Sequence, residues 1–114
     1  MASDPDLDDR FRAAVAELPA VTEKRMMGAT CFFHRGHMLG GADRAKTGER
    51  RFLFRVGPDG AAEALSRPGA RPATIGTRTM RGFVFVDEAA CGYPAMQSWI
   101  DLVMDFVWTL PAKD

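Results

Sequence analysis

Cys31, His34 and His37 are the residues of this chain whose types and spacing come nearest to a metal site, in a Cys-x2-His-x2-His arrangement. Zinc takes three or four such ligands converging tetrahedrally, and this spacing matches no standard pattern. On a strand, Cys31 and His34 point to opposite faces. The two histidines also flank Arg35-Gly36, a two-residue turn across which they can simply face each other. The turn is the reading adopted. No cofactor is expected, and Cys31, His34 and His37 stand as the alternative metal set.

Covalent catalysis needs a nucleophile with a base in hydrogen-bond reach. Cys31 falls in an apolar strand, where a thiol pKa rises and reactivity falls. Cys91, in the loop-like run Ala90-Cys91-Gly92-Tyr93, is the better reactive candidate. Asp87 and Glu88 are neighbours at a strand end, where adjacent side chains diverge rather than pair. Gly57-Pro58-Asp59-Gly60 enters a helix without the Walker lysine or the dinucleotide glycine spacing. Gly40-Gly41 leads into a loop, so both glycine runs read as backbone turns. No catalytic constellation emerges, and the expectation is a binding protein rather than an enzyme.

The remaining chemistry is cationic. Arginine outnumbers lysine twelve to three in the 114 residues, and its planar fork suits phosphate and carboxylate oxygens. Arg44, Lys46, Arg50 and Arg51 crowd one polar stretch, with Arg78 and Arg81 further on. These six are the candidate residues for a nucleic acid or a protein partner. The formal net charge is zero, but it is unevenly built. Residues 1–23 hold two basic against six acidic side chains, residues 24–81 twelve against four, and residues 82–114 one against five. Such asymmetry marks either a polyanion-binding face or acidic ends folded over a basic middle. The second is favoured, because a neutral total weakens the nucleic-acid signature. The aromatics that could stack on bases, Phe52, Phe54, Phe83 and Phe85, alternate as core residues. No groove-reading helix-turn-helix is evident.

The elements that must carry these groups follow from periodicity. Ser3 or Asp4 can cap a helix whose first turn holds Pro5. Leu7, Phe11, Ala14, Val15 and Leu18 form its apolar stripe, ending at Pro19. Strands are expected at Met26–Phe33 and His37–Ala42, then a loop at 43–50, then a strand around Phe52, Phe54 and Val56. A short helix runs to Leu65. A weak strand at 72–79 and a strong one at Gly82–Val86 follow. The last helix, from Pro94 to about Leu110, is apolar over most of its circumference. Met104, Phe106 and Trp108 are accordingly candidate contacts for a partner or a homodimer.

The class is α+β, in the order α-β(3)-α-β(2)-α, with an antiparallel-rich sheet packed with helices and one domain over residues 1–114. No run reaches the roughly eighteen consecutive apolar residues of a membrane helix. The acidic start lacks a signal-peptide pattern. Two cysteines sixty residues apart read as free thiols of a cytoplasmic protein.

Several segments carry a family resemblance. Lys24-Arg25-Met26-Met27-Gly28, followed by Cys31-Phe32-Phe33, Gly36 and Met38, resembles the opening hairpin of the TfoX/Sxy N-terminal domain family. Leu53-Phe54-Arg55-Val56 is similar to its third strand. The run Arg78-Thr79-Met80-Arg81-Gly82-Phe83-Val84-Phe85-Val86 resembles its methionine-glycine-aromatic strand, and Trp99 matches a tryptophan of its last helix. The likeness spans about residues 5–112. It implies a fold of the type III secretion-chaperone-like kind. It also implies kinship with bacterial regulators that promote natural competence by helping a transcription factor act. Those regulators carry a second, helical domain, so this chain is expected to be a stand-alone copy of the first. The family implies no catalytic residues. Met27 stands where an aromatic is usual, and residues 43–50 are longer than the family's short second turn. A small ligand- or metal-binding domain, or an enzyme using Cys91 or the Cys31, His34 and His37 cluster, is the alternative.

Overall fold

Asp4 opens the first helix, α1 (Pro5–Ala14), by accepting a hydrogen bond from the backbone N–H of Leu7 at 3.3 Å. Pro5 sits in the first turn, where its missing N–H leaves no bond unmade. The computed structural model describes residues 2–112. In it α1 is followed by β1 (Val21–Met26), β2 (Ala29–His34), β3 (His37–Arg44) and β4 (Arg50–Arg55). The short helix α2 (Ala61–Leu65), β5 (Ala70–Ile75), β6 (Arg78–Asp87), a single 3-10 turn at Glu88–Ala90 and α3 (Tyr93–Val107) complete the chain. The strands form one antiparallel sheet in the order β1-β2-β3-β4-β6-β5.

The α+β class and the antiparallel sheet with its helices stand as expected, with one strand more in the first block. The strand expected at Met26–Phe33 begins at Ala29 as β2, and the residues before it form an unexpected strand, β1, joined to β2 at Met27-Gly28. Both turn residues have positive φ, 53° and 80°, the geometry that matches a hairpin's twist. Arg35-Gly36 closes the next hairpin in the same way, with φ of 52° and 84°. Gly40 and Gly41 are also corrected: they lie inside β3, not in a turn. A side chain at Gly40 would collide with the Leu53 carbonyl of β4, and one at Gly41 would press on the Thr30 carbonyl of β2. These two positions let three strands approach closely while the sheet coils.

The helices cover one face. There Leu7, Phe11 and Val15 of α1 meet Phe32, Phe52 and Phe54 of the sheet and Trp99, Ile100 and Val103 of α3. Aromatic rings run through this core: Phe11 stacks on Phe32 at 4.6 Å, and Phe54 lies parallel to Trp99 at 5.2 Å. Cross-strand neighbours share a face, so Leu53 and Phe85, paired in the register, lie on the opposite side. With Ala73 they form a second, smaller cluster, edged by Met38, Met80 and Phe83. No helix builds that cluster, yet all three of its central residues are fully buried. The coiled sheet and its side chains close over it.

Candidate functional site

The arginines divide into two sets by what they touch. Asp4 is 1% exposed and gathers the first set. Arg50 donates to it through Nε at 2.8 Å and Nη2 at 3.2 Å, and Arg44 through Nε at 3.3 Å and Nη2 at 3.1 Å. The Arg50 bonds, helped by the Leu7 N–H and Arg44, outweigh burial and hold the Asp4 carboxyl well below the ordinary carboxylate range. Asp43, equally buried, accepts from Arg51 Nε at 2.8 Å and from the backbone N–H of Ala2 at 3.0 Å. The Arg51 guanidinium also lies 3.8 Å from the centre of the Phe85 ring, covering the second cluster. Arg71 pairs with Asp87 at 2.8 Å and with Glu49. The expected loop at 43–50 shrinks to residues 45–49, closed by Ala45 N–H to Glu49 O at 2.8 Å.

Arg44, Arg50 and Arg51 are therefore held by the chain's own carboxylates, and the acidic start does lie against the basic middle here. Lys46 stays exposed beside them. Sequence reasoning singled out the arginines but not Asp4 and Asp43 as their anchors. Asp43 directly precedes the arginine-rich stretch, but Asp4 lies 40 residues before Arg44, and nothing in the sequence indicated that both would be buried.

The second set sits at the β5–β6 tip. Arg78 and Arg81 are exposed, and among the described residues neither forms an ion pair. Together with Met27, Ile75, Thr79, Met80 and Phe83 they line a pocket of about 540 Å³. Met27 comes from the β1–β2 turn, so the coiled sheet brings its two outer hairpins to one mouth. Met27 is 53% exposed and Ile75 37%. No carboxylate lines this pocket. Outside the pocket lining, Arg55 of β4 is half-buried near the rings of Phe83 and Phe106, at 5.9 and 5.4 Å. Burial alone lowers its pKa.

The candidate chemical groups fare differently. His34 and His37 pair across the hairpin, and each binds a main-chain carbonyl. His34 Nδ1 is 2.8 Å from Pro19 O, and His37 Nε2 is 2.5 Å from Pro111 O. The other nitrogen of each ring is buried without a partner among the described residues. His34 also meets the edge of Trp108 at 4.8 Å. Among the described residues no three histidine, cysteine or acidic side chains are placed to hold an ion, so Cys31 does not join the two histidines in one site.

Cys91 does lie in the loop that its sequence context implied, but it is buried there. It is 2% exposed, following the 3-10 turn, with its carbonyl held by Arg10 at 2.7 Å. Burial pushes its thiol up to about 12, and burial raises Cys31 as well. Both thiols stay protonated at neutral pH, a poor state for a nucleophile. Beside Cys91, α1 and α3 leave a mostly apolar cleft of about 360 Å³.

The last helix also sorts its residues. Met104 is buried in the protomer's own core, Phe106 packs on Arg55, and Trp108 is half-exposed. Asp101 and Asp105 face solvent. No helix among the described residues is long and apolar enough to cross a membrane.

No curated protein and no solved structure matches the chain significantly. The model of the TfoX N-terminal domain matches residues 13–107. That match takes in every strand, the Met27-Gly28 turn, the Arg78–Val86 run and Trp99, and the chain belongs to the TfoX N-terminal domain family.

Proposed function

We propose that this chain is a non-enzymatic regulatory module of the cytoplasm that acts on transcription through a protein partner rather than by gripping DNA itself. The TfoX N-terminal domain family supports a competence-regulator-like domain. The observation that carries the partner reading is the use already made of Arg44, Arg50 and Arg51. These cations are bound to Asp4 and Asp43, and duplex binding draws on many free cations in register with the phosphates. The buried, protonated Cys91 and Cys31 weigh against thiol chemistry in the same molecule.

Light scattering of the purified protein, alone and with a short random duplex, tests this at low and high salt. The expected result is an unchanged mass on adding DNA. A complex that disappears as salt rises would put direct phosphate binding in its place. Comparing transcripts between cells with and without the chain tests the regulatory half, and identical transcripts would remove it. The protein-alone run also reads the oligomeric state. A homodimer, if formed, is expected to use the half-exposed Trp108 and Phe106 rather than Met104.

A further inference from the structure

The mouth between the two outer hairpins combines three properties found together nowhere else among the described pockets: unpaired arginines, exposed apolar side chains, and an outline free of carboxylates. We infer that this mouth is the docking site for a protein partner, and that the partner's segment is an acidic peptide carrying at least one apolar side chain. This inference rests on the partner reading above and names the surface that serves it.

Arg78 and Arg81 supply two guanidinium forks with no internal carboxylate to satisfy them. Elsewhere in the same chain arginines do find carboxylates: Arg50 on Asp4, Arg51 on Asp43, Arg71 on Asp87. The charge left over at the mouth is therefore matched by an acid from outside.

The floor distinguishes a peptide from a nucleic acid. Between the arginines the pocket offers Met27, Ile75 and Met80, flexible or branched aliphatic groups that mould to a side chain. Single strands instead take aromatic platforms on which bases stack. The aromatic here, Phe83, is half-buried and has Arg55 over its ring. The exposed Tyr93 and Trp108 are not among the residues that line this pocket. A leucine or similar side chain seated among the methionines, with acidic neighbours reaching Arg78 and Arg81, satisfies both halves of the site.

Fluorescence polarisation with a short labelled peptide alternating glutamate and leucine tests this on the full chain. The controls are an all-glutamate peptide and a single-stranded DNA of similar length. The glutamate–leucine peptide is expected to bind, and Arg78→Glu with Arg81→Glu to weaken it about tenfold or more. Met27→Asp is expected to weaken it too without opposing the turn, because aspartate accepts the positive φ found there. Circular dichroism melts of the variants confirm that each is folded.

Binding untouched by either variant would overturn the site. Equal binding of the all-glutamate peptide would remove the apolar half of the partner. Preference for the DNA would overturn the peptide as occupant, and so would failure of every probe to bind. Altered transcripts in cells lacking the chain, together with no peptide binding, would leave the regulatory reading and sink this surface. Peptide binding with unaltered transcripts would do the reverse.

Discussion

Beside the β3–β4 loop, Arg44, Arg50 and Arg51 are folded down onto two buried carboxylates. At the neighbouring β5–β6 tip, Arg78 and Arg81 line a pocket with methionine and isoleucine and without a carboxylate in its lining. The residue type is the same and both groups come from strand ends. The difference is made by Asp4 and Asp43, which cost desolvation on burial and recover it by accepting hydrogen bonds, Asp4 from Arg44 and Arg50 and Asp43 from Arg51 and the Ala2 N–H. In the first region arginine is part of the fold's internal wiring. In the second it contributes little to the fold and remains available to a ligand. Counting arginines along the sequence merges the two, whereas asking where each nearest carboxylate lies separates them.

The largest expected effect breaks the first region. Asp4→Asn removes the negative charge and one of the two acceptor oxygens that hold Arg44 and Arg50 while keeping a capping oxygen for α1, and is expected to lower unfolding free energy by about 3 kcal/mol, read from urea midpoints. The pH dependence has a definite sign. The folded pKa of Asp4 is depressed from 3.8, so its contribution is present at pH above 3.8 and is lost as pH falls through the acid range. Wild type should therefore lose more stability than Asp4→Asn between pH 7 and pH 3. Equal losses would show that the cluster is not coupled to folding.

Asp43→Asn is next, at about 2 kcal/mol, because Arg51 loses its carboxylate while keeping the Phe85 ring beneath it. A smaller loss there than at Asp4 sharpens the contrast between one arginine and two on a carboxylate.

Asp8 reverses the sign within the same helix. It is 7% exposed, one of its oxygens has no partner, and burial raises its pKa from 3.8. The folded state then holds this proton more tightly than the unfolded chain. The ionised form therefore costs stability at neutral pH, and the cost fades as pH falls through the raised folded pKa and is gone below 3.8. Asp8→Asn is expected to raise stability by up to about 1 kcal/mol at pH 7 and to lose that advantage on acidification. The smallest effect belongs to the second region. Arg78→Gln with Arg81→Gln should change stability by less than about 0.5 kcal/mol, and a large loss would place those arginines in the wiring after all.

Much of the fold could be read from the sequence because its signals are local. The Asp4-Pro5 start of α1, the Arg35-Gly36 turn and the alternation of Phe52 with Phe54 are propensities and periods. The strand β1 was not legible, since five of its six residues are exposed and a strand that buries almost nothing shows no alternation. Its turn was hidden as well: methionine is a poor guide to positive φ, although Gly28 beside it was visible. Gly40 and Gly41 misled for a related reason. Glycine marks a turn and a close strand approach alike, and only the neighbouring carbonyls decide between them.

The candidate site was legible by half. Arg78 and Arg81 were picked out, while Met27 and Ile75 were not, because the mouth joins hairpins some fifty residues apart that meet only through the coil of the sheet. Cys91 does lie in a loop, as its context indicates, but its burial against Arg10 and α3 was not legible, because it depends on contacts distant in sequence.

The clasp of His37 on Pro111 spans 74 residues, and that separation sets an order on synthesis. A chain leaving the ribosome completes the β2–β3 hairpin long before residue 111 exists. Until then one buried imidazole lacks its carbonyl, and the helix-facing phenylalanines lack Trp99 and its neighbours on α3. The sheet must wait, apolar side uncovered, until α3 has been translated. In this molecule residues far along the chain therefore latch the sheet, and a ribosome stalled before α3 emerges releases a product prone to aggregate.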